Sequence, residues 1–157
     1  TRPEARQTIH AMETIHATTV VIEGIGVLLR GRSGSGKSDL ALRLIDGGAR
    51  LVADDQTILK CCDGRLEARA PGSLQNKIEV RNLGVLTLPV GSVASVGVLG
   101  LVVDLVDSPD KLDRMPVPET VDLNGIAVRR LRLWPFEASA AAKVRLAIRV
   151  GADNIET

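Results

Sequence analysis

The chemistry of this chain is concentrated in one run, Gly31-Arg32-Ser33-Gly34-Ser35-Gly36-Lys37-Ser38, followed by Asp39. The run matches G-x-x-x-x-G-K-[ST], the P-loop pattern that wraps the phosphates of a nucleotide. Glycines can take backbone angles closed to other residues, so Gly31, Gly34 and Gly36 let successive N–H groups converge on phosphate oxygens. Lys37 offers a point charge to the outer phosphates, and a hydroxyl in the position of Ser38 can ligate Mg²⁺. A helix starting near Lys37 adds its positive dipole end and its unpaired N–H donors. The second chemical feature is the carboxylate pair Asp54-Asp55.

These groups need elements to position them. Residues 26–30 predict a short buried strand, and Leu40, Ala41, Leu44 and Ile45 are spaced as on a helix packed against a sheet. Gly47-Gly48 is a helix stop, and residues 50–53 predict a strand running into Asp54. A strand–helix–strand crossover makes the two strands parallel, so their carboxyl ends share one sheet edge and the aspartates emerge beside the phosphates. Strand alternation sends the two carboxylates in different directions. One can face a transferred phosphoryl group while the other faces metal-bound water or an orienting partner.

Around this unit, residues 18–23 predict a strand turning at Gly24, with His16 just ahead of it. A histidine there is most often a surface or packing residue. Residues 57–62 and 65–70 flank Asp63-Gly64, a hairpin signal. Residues 77–81 alternate like a half-buried strand, and from pattern alone Lys77, Glu79 and Arg81 form a solvated, salt-bridged face. Residues 83–89 predict a strand or short turn, and 98–104 the sheet centre. The proline-rich, charged stretch 108–119 is either a partner-contact loop or a linker. A hairpin around Asn124-Gly125 and a helix over 139–150 follow.

A chain of 157 residues with 45% hydrophobic and 25% charged content is a single globular domain with a real core. Its net charge of +1 gives no reason to expect nucleic acid or an anionic membrane as the main partner. Trp134 and Phe136 are the only aromatics, which argues against single-strand recognition by base stacking. The adjacent Cys61 and Cys62 point to opposite faces of a strand and suit a reducing cytoplasm. No run is long enough to span a bilayer and no signal peptide is seen. Residues 1–13 read as a leader or disordered stretch ahead of a catalytic domain over 14–157, with Met12 a candidate start.

Taken together, three segments carry a specific resemblance. His16 with residues 24–39, the strand Arg50-Leu51-Val52-Ala53-Asp54-Asp55, and Lys77-Ile78-Glu79-Val80-Arg81-Asn82-Leu83-Gly84 are similar in order and spacing to the catalytic domain of the HPr kinase/phosphorylase family. The resemblance covers roughly residues 15–107. It implies an α/β fold of the phosphoenolpyruvate-carboxykinase-like P-loop type, a mixed sheet with flanking helices. It implies ATP and Mg²⁺ as cofactors, a serine of the phosphocarrier HPr as acceptor, and a cytoplasmic homo-oligomer, typically a hexamer. In that scheme Asp54 is the general base, Asp55 orients the metal and its waters, and Ser38 with Glu79 ligates Mg²⁺. Lys37 neutralises the transferred group, His16 lies near Asp54, and Arg81 supports the site.

Departures from the family pattern bear on activity. Many members carry a large amino-terminal domain, and the resemblance implies a short, catalytic-domain-only form here; Asp39 stands for a glutamate, and Asn82 stands for a glycine. The family's later arginine-rich loop has no match; residues 115–121 occupy its place without those arginines, which favours kinase over phosphorolysis activity. A P-loop kinase for a small molecule and an ATP-sensing module without turnover are the competing readings. The Asp54-Asp55 pair speaks against the sensor, which needs no base.

Overall fold

The structure is a computed structural model, and it describes residues 12–151. In chain order the strands and helices are β1 (Met12–Ile15), β2 (Ala17–Ile22), β3 (Ile25–Arg30), α1 (Lys37–Asp46) and β4 (Arg50–Ala53). They continue with β5 (Thr57–Cys62), β6 (Arg65–Arg69), β7 (Lys77–Val80), β8 (Gly84–Thr87) and β9 (Gly97–Leu105). The last are β10 (Glu119–Leu123), β11 (Ile126–Leu133) and α2 (Ala140–Val150). The leader expected over 1–13 lies outside the described residues except at its end. There Met12 and Glu13 pair with Lys60 and Leu59, so the sheet begins before residue 14.

Nine strands form one mixed sheet in the order β1-β5-β6-β9-β3-β2-β4, with β11 also on β9 and β10 on β11. As expected, β9 is central. It runs parallel to β3 on one side, while its other side is shared by antiparallel β6 near the start and parallel β11 near the end. The two turn signals hold: hairpins close at Asp63-Gly64 and Asn124-Gly125, with positive φ at all four residues. The crossover from β3 through α1 does make β4 parallel to β3, but the strands are not neighbours. Antiparallel β2 lies between them and pairs with both.

That insertion helps the site. The carboxyl ends of β3, β4, β9 and β11 and the amino end of β2 all meet one edge of the sheet. Alternation then fills both faces. Val20, Val27, Leu29, Leu101 and Val103 pack under α1 and α2 with Leu40, Leu44 and Val144. Ala17, Leu28, Val102 and Val128 pack on the other face with Leu59, Leu66 and Leu99. Leu99 and Leu101 point to opposite faces despite their spacing, because the β3–β9 register shifts between Gly26 and Val27, a bulge that reverses the phase. Each buried leucine contributes roughly 1.5–3 kcal/mol.

On the face away from the helices, the parallel strands are cross-linked by charge. Arg30 donates to both oxygens of Asp104, at 2.7 and 2.9 Å, and Arg130 Nε donates to Oδ2 at 2.5 Å. Burial pushes the Asp104 carboxyl up, but the two guanidiniums outweigh it and hold it below the ordinary carboxylate value. A carboxyl depressed in the fold stabilises above its unfolded pKa and loses that contribution as pH falls through its folded one. Asp104→Asn is therefore expected to cost about 3 kcal/mol at neutral pH. In thermal melts across pH, the gap to the parent should close below about pH 4; a constant gap would contradict the ionic role.

Candidate active site

Between β3 and α1 the chain forms the P-loop that the sequence predicts. Gly34 and Gly36 have φ of 80° and 102°, the left-handed region that favours glycine. Gly31 does not use that freedom; it is needed for space, since a Cβ there would lie 2.4 Å from Ser35 Oγ. Ser35 N–H closes the turn onto the Arg32 carbonyl at 3.0 Å. Gly36 stands at the N-cap of α1 with no side-chain cap, which leaves first-turn N–H groups available to an anion. Lys37 is 5% exposed, and its Nζ donates to the Gly31 and Arg32 carbonyls, each at 2.9 Å. Burial pushes its ammonium down from the ordinary value, against the opposing pull of Asp55 and Asp54.

Asp54 follows β4 and is buried. Its Oδ1 accepts from Ser38 Oγ at 2.6 Å and Thr18 Oγ1 at 3.1 Å, and its Oδ2 accepts from the Glu79 N–H at 2.9 Å. Asp55 lies beyond β4 and takes φ 68°, so this left-handed turn, not strand alternation, directs its side chain away from that of Asp54. Its N–H donates to Thr18 Oγ1 at 3.0 Å, and its carboxylate meets His16 Nε2 at 2.5 Å in an exposed pair. The aspartates thus occupy different environments: one is enclosed among donors, the other sits at the rim.

The cavity beside them measures about 610 Å³. Its wall includes Ser33, Gly34, Gly36, Lys37, Ser38 and Asp39 from the P-loop and α1, with Asp54, Asp55, Glu79 and Arg81. Gly31, Arg32 and Ser35 support the loop from behind, and His16 touches the wall only through Asp55. Asp39 also pairs with Arg43 at 3.0 Å, one helical turn on. Glu79 and Arg81 are exposed, as the alternation predicts, but the β7–β8 hairpin turns them toward the phosphate loop and not only to solvent. Hydroxyl and carboxylate oxygens of Ser38, Asp54 and Glu79 on one wall suit Mg²⁺, which takes one or two carboxylates and completes its shell with phosphate and water. No group of three or more His, Cys, Asp or Glu forms a metal cage among the described residues.

Four wall residues, Leu42, Val80, Asn82 and Phe136, and one support lie outside the predicted site set. The support is Thr18, which holds both aspartates. Thr18 looked like an ordinary strand threonine; only the pairing of β2 beside β4 brings it to Asp54.

Fold and site together define an α/β domain of the P-loop kinase-like type. Residues 7–154 match the model of the HPr Serine kinase C-terminal domain, and the chain belongs to that family. It is 41% identical over 128 residues to the HPr kinase/phosphorylase of Bordetella petrii, covering 76% of this chain and 42% of that protein. Against the HPr kinase/phosphorylase of Clostridium tetani it is 35% identical over 126 residues, covering 76% and 41%. The chain thus spans about two fifths of the length of the curated relatives it matches. The solved HPr(Ser) kinase/phosphatase of Coxiella burnetii superposes with a TM-score of 0.78 at 30% identity, over 87% of this chain and 94% of that one.

Asn82, which lines the cavity beside Arg81, has φ 75°. Asparagine is the side chain that best tolerates this left-handed conformation. Asn82→Gly is expected to leave the melting temperature nearly unchanged. Asn82→Val should cost about 1–2 kcal/mol in urea unfolding; equal stability of the two variants would show that the backbone relaxes.

Proposed function

We propose that this chain is the catalytic part of an ATP- and Mg²⁺-dependent kinase that phosphorylates a serine of HPr. The observation that carries the reading is Asp54, a buried carboxylate hydrogen-bonded to the P-loop serine at the edge of the P-loop cavity. P-loop N–H groups and Lys37 would hold the phosphates, with Lys37 leaving the Gly31 and Arg32 carbonyls to do so. Mg²⁺, held by Ser38 and Glu79, would supply charge neutralisation at the transferred group. When the Ser38 hydroxyl turns from Asp54, Oδ1 is free to accept the proton of the substrate hydroxyl. Thr18 and the Glu79 N–H keep the carboxylate aimed during that transfer. Asp55 and His16, paired at the rim, orient groups around it, and Arg81 on the cavity wall supports the acceptor side.

The kinase direction is the better supported. The loop from 106 to 118 leaves β9 at the carboxyl edge of the sheet, where Asp107 pairs with Lys111 at 2.8 Å. It brings exposed Met115 and Val117 and a single arginine, Arg114, rather than an arginine cluster.

The test is transfer from γ-labelled ATP with Mg²⁺ to purified HPr, followed by mapping of the labelled residue. Lys37→Met should abolish ATP binding. Asp54→Asn should keep binding and lose transfer by roughly 10²–10⁴-fold. Equal loss of ATP affinity in both variants would contradict the separate roles. Label absent from HPr while ATP still binds would point to a small-molecule acceptor or a sensor.

A further inference from the structure

Phe136 is left unused by the chemistry above. It is 56% exposed, yet it lines the same cavity as the P-loop. Its position is built by the topology: β11 runs parallel to β9, so residues 134–136 leave the sheet at the edge where β3 delivers the P-loop. The segment is also fastened. Arg43 Nη2 of α1 donates to the Pro135 carbonyl at 2.5 Å, and Trp134 stacks edge-on against Phe136 with centroids 6.3 Å apart. A Cβ on Gly36 would come within 3.1 Å of both the Phe136 ring and the Pro135 ring, so the segment lies against the last glycine of the P-loop.

We propose that Phe136 is the platform on which the base of the bound nucleotide stacks. This rests on the phosphate-site reading of the P-loop given above. A nucleotide anchored by its phosphates at the loop amides carries a flat π-surface a short reach away, and an open, pre-positioned aromatic ring is the matching surface. Leu42 and Val80 add apolar surface to the same cavity. Because α1 and the P-loop hold the ring in place, little side-chain freedom is lost when a base settles on it. Stacking of this kind accepts any base with a π-face, so the platform contributes affinity and orientation more than base identity.

Calorimetric titration of the parent and of Phe136→Ala, Phe136→Leu and Phe136→Tyr with Mg²⁺-ATP and with Mg²⁺-tripolyphosphate separates the possibilities. Removing the ring as Ala or Leu should weaken ATP roughly tenfold while tripolyphosphate affinity stays put, and Tyr should restore ATP binding. Equal weakening of both ligands in Phe136→Ala would overturn the platform, showing that the ring only props Gly36. Unchanged ATP affinity with a raised KM for HPr would also overturn it, assigning the ring to the protein substrate. A parent that binds tripolyphosphate as tightly as ATP would sink the platform and leave the phosphate site standing. A parent that binds neither would sink both.

Discussion

The structure depends most on how one buried carboxylate is satisfied. Asp54 is withdrawn from water, and a charge so placed must find hydrogen bonds or destabilise the fold. Its donors come from three elements: Thr18 on β2, Ser38 in the first turn of α1, and the Glu79 N–H of β7. Those residues are 36, 16 and 25 positions away in the chain. The Asp54 carboxylate therefore sets the mutual position of the P-loop helix, the strand beside the Asp54-Asp55 turn, and the hairpin that brings Glu79. Any displacement of one of them leaves a polar group unpaired at the others.

Topology supplies the rest of the convergence. Parallel strands put their carboxyl ends at one edge, and here four strands end together around the phosphate loop. The Arg30–Asp104–Arg130 cluster ties three of those strands, β3, β9 and β11, just below that edge. The loops that leave it can then vary while the platform stays.

Much of this was legible in the residues. The P-loop with its strand and helix, the hairpins at Asp63-Gly64 and Asn124-Gly125, and the central strand over 98–104 are all local patterns, and each was found where expected. What escaped is non-local. The β3–α1–β4 crossover announces parallel strands but is silent on whether a third lies between them, and β2 does. Thr18 acquired its role only from that neighbour. Met12 and Glu13 carry no strand pattern of their own; their pairing with β5 decides their conformation. Likewise Trp134-Pro135-Phe136 reads as a connector, because its proximity to Gly36 comes from the parallel pairing of β11 with β9. Even within the P-loop, Gly31 matched the motif for a reason the motif does not state: room for Ser35, not an unusual dihedral.

The divided flank of β9 has a consequence for the order in which the molecule can assemble. β3 waits for a partner about seventy residues downstream, as the Arg30–Asp104 pairing shows, and β9 is itself complete only when β11 arrives. During synthesis the phosphate loop is therefore made long before the strands that hold its base in place, and one flank of β3 stays unpaired in the interval. Contacts so distant in sequence are slow to form and expose apolar strand edges meanwhile. Productive folding of this domain is thus paced by β9 and β11, although its nucleotide motif precedes both.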